Sequence, residues 1–102
     1  MLTRKFAKKY INDFLDELSS LGYNPAKAIL FGSVAKNCTH HYSDIDLAVW
    51  DSRFTGCKAE DYEPIVRLLS KFYKIELHTF PLGETEHENP FISEVIKWGV
   101  IV

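Results

Sequence analysis

Apolar and polar positions along this chain follow two periods, and the switches between them outline its elements. From Thr3 to Leu21 apolar residues recur at Phe6, Tyr10, Phe14 and Leu18, with Ala7, Ile11, Leu15 and Leu21 alongside. That spacing makes one broad stripe of an amphipathic helix, with Thr3 as N-cap and Gly22 as the left-handed residue that ends it. Asn24-Pro25 breaks the chain, and Lys27 to Phe31 reads as a short buried strand. Gly32-Ser33 then turns into a short helix through about Asn37. Cys38 to Tyr42 is polar and aperiodic, a loop, and Ile45 to Trp50 is the second strand.

After a connection from Asp51 to Lys58, the stretch Ala59 to Tyr73 predicts a second amphipathic helix. Its stripe would be Tyr62, Ile65, Val66, Leu69 and Phe72 or Tyr73, with Pro64 in the first turn, where a missing N–H costs nothing. From Lys74 to Phe80 the period becomes two, with Ile75, Leu77 and Thr79 on one face and Glu76, His78 and Phe80 on the other. Glu84 to Glu88 is an acidic loop. Asn89 then caps a helix with Pro90 at its first position, which runs to about Trp98 and stops at Gly99. Val100-Ile101-Val102 is a last strand or a contact surface. Helices alternating with strands indicate an α/β fold over residues 1–102, a small mixed β-sheet flanked by helices in one domain.

Composition narrows the function classes. The 102 residues are 46% hydrophobic and 14% aromatic, enough for one packed core. A net charge of -2 argues against direct nucleic-acid binding, which usually shows as a basic domain, and against anionic membrane surfaces. No apolar run is long enough to span a bilayer and no leader-like segment follows Arg4 and Lys5, so a cytoplasmic location is expected. Cys38 and Cys57 form no metal-binding or redox pair, and reduced thiols are the expectation. The first helix carries Arg4, Lys5, Lys8 and Lys9 early and Asp16 and Glu17 late, against its macrodipole. That is a solvated face or a basic patch for an acidic partner.

The chemistry gathers between Gly32 and Asp46. Glycine lets backbone approach a bulky anion, and a helix opening just after it aims free N–H groups at the same point; Ser33 adds a hydroxyl. Alone, Gly-Ser after a strand is usually only a turn. The run Ser43-Asp44-Ile45-Asp46-Leu47 adds two acids spaced to project from one strand face, roughly 7 Å apart at a rise of about 3.3 Å per residue. Aspartate is a poor strand former, and neighbouring carboxylates repel unless a cation lies between them. An acidic strand edge facing solvent is the bland alternative. Glu76, flanked by Ile75 and Leu77, would join the same face if its strand pairs beside the second. Three carboxylates and a phosphate-binding turn are the parts of two-metal phosphoryl or nucleotidyl transfer.

Gly32-Ser33 followed by Ser43-Asp44-Ile45-Asp46-Leu47, with a later strand carboxylate, resembles the nucleotidyltransferase superfamily related to DNA polymerase β. More narrowly, the chain resembles the minimal nucleotidyltransferases of prokaryotes over nearly its whole length. The resemblance implies that Gly32, Ser33, Lys36 and Ser43 contact the nucleotide. It also implies that Asp44, Asp46 and Glu76 are the catalytic acids and ligands of Mg²⁺, two ions in all, with ATP as substrate. Asn37 stands where the family usually has glycine. Val34 stands where many relatives carry a basic residue, which leaves Lys36 as the nearest cation, and Glu76 replaces the commoner aspartate. Many minimal members are antitoxins paired with a HEPN-type ribonuclease toxin, and some transfer AMP to a tyrosine of that toxin.

Two functions follow as expectations: a nucleotidyltransferase acting on a partner protein, or a non-catalytic antitoxin that neutralises its partner by covering it. No segment marks an acceptor pocket for a small molecule, and a homo-oligomer stays open. His78 shares a strand face with Glu76, which suits a supporting role behind the ligands. His40 and His41 read as exposed loop residues, His87 as bland, and Trp50 and Trp98 as core or interface residues.

Overall fold

Apolar residues on both faces of the central strands require cover on both sides, and that requirement sets the architecture. The structure is a computed structural model that describes residues 4–32 and 44–102. Its elements are α1 (Arg4–Ser20), β1 (Lys27–Phe31), β2 (Ile45–Asp51), α2 (Lys58–Tyr62), a 3-10 turn (Glu63–Ile65), α3 (Val66–Lys71), β3 (Ile75–Pro81), α4 (Pro90–Trp98) and β4 (Val100–Ile101). The four strands form one mixed sheet in the order β3-β2-β1-β4. β1 pairs antiparallel with β2 and with β4, while β2 and β3 run parallel. The apolar tail is therefore a strand, with Ile29 opposite Ile101 and Leu30 opposite Val100.

Each sheet face has its own core. On one, Leu30, Ile45, Leu47, Val49, Ile75 and Leu77 pack against Ala7, Ile11, Phe14 and Leu18 of α1 and against Ile65, Leu68 and Phe72. Full burial of each large apolar side chain contributes about 1.5–3 kcal/mol. On the other, Ile29, Phe31, Ala48, Trp50 and Phe80 meet Ile92 and Val95 of α4. That second core is smaller, and Asp46, Glu76 and His78 occupy the same sheet face beyond it. The face alternation of β2 and β3 thus follows the two-residue period of the sequence.

Gly22 ends α1 with φ +98, as its position after the stripe implies. Asn89 caps α4 by accepting from the Phe91 N–H at 3.1 Å, with Pro90 in the first turn. The segment expected as one helix over 59–73 is instead broken into α2, the 3-10 turn and α3. Pro64 lies in the 3-10 turn, where its ring is incompatible with a continuous α ladder. The break rotates the buried face: Asp61, Ile65, Leu68 and Phe72 point inward, whereas Val66 and Tyr73 are exposed. Gly99 does follow α4, but at φ -74 it needs no left-handed conformation. A Cβ there would lie 2.3 Å from both Ile29 Cγ2 and the Val95 carbonyl oxygen, so close approach of the chain is what requires glycine.

Two acids outside the expected site are buried and structural. Asp51 accepts from the Asn24 and Arg53 N–H groups, each at 2.8 Å, and so ties both ends of the sheet's loops together. Asp61 accepts from the Thr55 and Gly56 N–H groups and from the hydroxyls of Thr55 and Thr79. Burial alone would raise the Asp61 carboxyl, but those hydrogen bonds outweigh it and hold the group below its ordinary value. Cys57 is an exposed free thiol. The Thr3 cap, the helix expected after Ser33 and the loop holding His40 and His41 lie outside the described residues, as do Ser33, Val34, Lys36, Asn37, Cys38 and Ser43. Among the described residues, no helix is long and apolar enough to cross a membrane.

Candidate active site

Parallel pairing of β2 and β3 decides the site, because it places Asp46 directly across from Glu76. Two residues further along β3, on the same face, His78 stands across from Ala48. Ligand atoms of Asp46, Glu76 and His78 all lie within 4.8 Å of one another. Glu76 is exposed and Asp46 partly so, which keeps the pair open to solvent and to a ligand. Asp44 is also exposed, one residue ahead of β2, and stands outside this tight group. It lines a cleft of about 540 Å³ together with Glu76, Lys58, Tyr62, Ser70 and Tyr73.

β1 delivers Gly32 on the other side. Phe31, its last residue, pairs with Asp46, so the chain leaves the strand beside that carboxylate. Gly32 adopts φ +76, and a Cβ there would sit 2.2 Å from Asp46 Oδ2. Only a residue without a side chain lets the backbone and the carboxylate share that space. The two halves of the pattern singled out in the sequence are therefore in contact through Gly32 and Asp46.

His78 is held by aromatic rings. Phe31 meets it edge-on with centroids 5.0 Å apart, and Phe91 lies 5.4 Å away on α4. Its Nε2 is buried, is 3.7 Å from Asp46 Oδ1, and has no hydrogen-bond partner among the described residues. At that separation the two atoms do not form a hydrogen bond. The face shared with Glu76 was the one sequence signal for His78, and the structure brings it into the group itself rather than behind it.

Tyr62 carries no expected role, yet it borders the site. Its phenol donates to the Leu77 carbonyl oxygen, closing a backbone acceptor on β3, the edge strand of the sheet. Burial pushes this phenol above its ordinary value, and the charges of Glu76 and Asp61 push the same way. A cleft floored by Tyr62 and rimmed by Asp44 and Glu76 was not legible in the sequence, because α2, α3 and β3 contribute to it from separate segments.

The residues present fit a divalent cation. Two carboxylates and an imidazole converge, one imidazole nitrogen is buried without a partner among the described residues, and Gly32 leaves room for the Asp46 carboxylate. Among comparisons with known proteins, a family model described as a nucleotidyltransferase domain matches residues 11–98. No curated protein and no solved structure matches the chain.

Proposed function

The chain belongs to the nucleotidyltransferase domain family, and from that premise we propose that it transfers AMP from ATP, with Mg²⁺, to a tyrosine hydroxyl of a partner protein. A HEPN-type toxin is the partner this reading favours, which makes the chain the antitoxin of the pair. The observation that carries the catalytic part is the register pairing of Asp46 with Glu76 beside the Gly32 turn. Carboxylates kept that close repel one another, and a cation held between them offsets that repulsion.

In this reading Asp44, Asp46 and Glu76 hold the cation, and Gly32, Ser33, Lys36 and Ser43 face the nucleotide. The cation, when bound, neutralises triphosphate charge and lowers the pKa of the attacking hydroxyl. The acceptor oxygen bonds to the α-phosphorus, the bond to the pyrophosphate oxygen breaks, and pyrophosphate leaves. Glu76, exposed on the cleft side, takes the hydroxyl proton. An open cleft of about 540 Å³ at that carboxylate suits an acceptor side chain brought by a second protein.

Mass spectrometry tests this directly. The protein is incubated with Mg²⁺, ATP and the product of the neighbouring gene, and the partner is weighed for one added AMP. An unchanged partner mass, with complex formation intact in Asp44→Asn and Asp46→Asn, would establish neutralisation by covering instead.

A further inference from the structure

We propose that the cation held by Asp46 and Glu76 takes a further protein ligand from Nε2 of His78, and that this imidazole makes the site select a first-row transition ion over Mg²⁺. The inference deepens the metal-dependent reading above and rests on it.

A buried polar nitrogen without a hydrogen bond has lost its water and gained nothing in return, which destabilises a fold. Among the described residues His78 Nε2 is such an atom, although its ring sits between Phe31 and Phe91, where a purely apolar side chain would pack without that cost. What it faces is the Asp46 carboxylate, 3.7 Å away. Nitrogen and oxygen ligands sit about 2.0–2.2 Å from an ion such as Zn²⁺, so two that share one ion stand roughly 3–4 Å apart. The separation is too long for a hydrogen bond and suited to a shared cation.

Position supports the same reading. Glu76 and His78 project from one face of β3 at i and i+2, and Asp46 stands on β2 directly across from Glu76. The ring is fixed by Phe31, itself the register partner of Asp46, and by Phe91 on α4, so its nitrogen does not need to be ordered when a ligand arrives. The donor set then decides the ion. Mg²⁺ prefers oxygen ligands and keeps several waters, whereas affinity of mixed nitrogen and oxygen sites rises from Mn²⁺ across the first row. In a two-ion site, the Mg²⁺ that arrives with ATP and the ion held by the protein would be of different kinds.

Binding of Mn²⁺ and Mg²⁺ alone, without nucleotide, tests the proposal on protein purified without a histidine tag. Mn²⁺ affinity is read from the free-ion electron paramagnetic resonance signal, Mg²⁺ affinity by competition, and a coordinated imidazole by nitrogen modulation in pulsed spectra. The wild type should bind Mn²⁺ at least about tenfold tighter than Mg²⁺ and show the nitrogen modulation. His78→Gln, checked for folding by circular dichroism, should lose the modulation and weaken Mn²⁺ by about tenfold or more while changing Mg²⁺ far less. The triple variant His40→Gln, His41→Gln, His87→Gln leaves His78 as the remaining histidine and should keep the modulation, which tests the assignment without touching His78. Mn²⁺ bound in an Asp46-dependent way with no nitrogen modulation, or modulation lost in the triple variant, would overturn the role of His78 and leave the metal site standing. No Asp46-dependent binding of either ion would overturn both.

Discussion

Gly32 and Asp46 occupy one space: a methyl group added at residue 32 would come within 2.2 Å of Asp46 Oδ2. Gly32 just after β1 and the acid on β2 are thus in contact, brought together by the antiparallel pairing that sets Phe31 opposite Asp46. Gly32 also sits at φ +76, which side chains rarely tolerate.

Gly32→Ala should therefore damage the site more than the fold. The backbone strain costs about 1–2 kcal/mol. The atom struck is the free end of a side chain, so it is the Asp46 carboxylate that moves. Calorimetric titration with Mn²⁺ and thermal unfolding should show cation affinity falling at least about tenfold with a melting shift of only a few degrees. Undiminished affinity would mean that Asp46 is not a ligand in the position observed.

Asp46→Asn removes a charge without adding volume and relieves repulsion with Glu76 across the strand pair. Its stability should match or slightly exceed that of the wild type, within about 0.5 kcal/mol, in urea unfolding. Divalent-cation and Mg·ATP binding should be lost in calorimetry. Retained Mg·ATP affinity would sink the metal assignment.

The site was half legible in the sequence, for reasons of periodicity. Alternation placed Glu76 and His78 on one face of β3 and set Asp46 against its apolar neighbours, because a strand period of two is local information. Which strands pair is not local, and parallel pairing of β2 with β3 is what turned separate acids into a group. That His78 Nε2 is buried with no partner among the described residues depends on rings from β1 and α4 and had no sequence signal beyond the shared face. The broken helix over 59–73 misled in a similar way. Its apolar spacing passes through Pro64 unchanged, whereas the backbone cannot, and the buried Asp61 finds its donors in the loop 55–56 and in β3.

Asp61 makes the fold sensitive to acid. Its folded carboxyl lies below the ordinary value of 3.8, so the stability it contributes is complete above that value and is lost as pH falls through the lower folded one. Asp61→Asn should cost about 2–3 kcal/mol at neutral pH, because an amide nitrogen is turned towards groups that all donate. Urea midpoints measured from pH 7 to pH 2 should converge for the two proteins below about pH 3.8. A constant gap across that range would show that ionisation of Asp61 does not matter.

Gly99 and Gly83 separate close approach from backbone conformation. Gly83 sits at φ +89 with nothing within 4 Å of an added Cβ, so Gly83→Ala should cost about 1 kcal/mol from the backbone alone. Gly99 has an ordinary φ of -74, and its added methyl would meet Ile29 Cγ2 and the Val95 carbonyl oxygen, both at 2.3 Å. The carbonyl belongs to α4 and cannot rotate away, so the chain must lift from β1. Gly99→Ala should thus cost about 1–3 kcal/mol and loosen β4. Amide exchange should quicken at Val102, whose N–H donates to the Ala28 carbonyl oxygen at 3.1 Å, while amides within β2 keep their protection relative to global unfolding. A loss in Gly99→Ala no larger than that in Gly83→Ala would show that the contacts with Ile29 and Val95 relax at little cost and do not require glycine at residue 99.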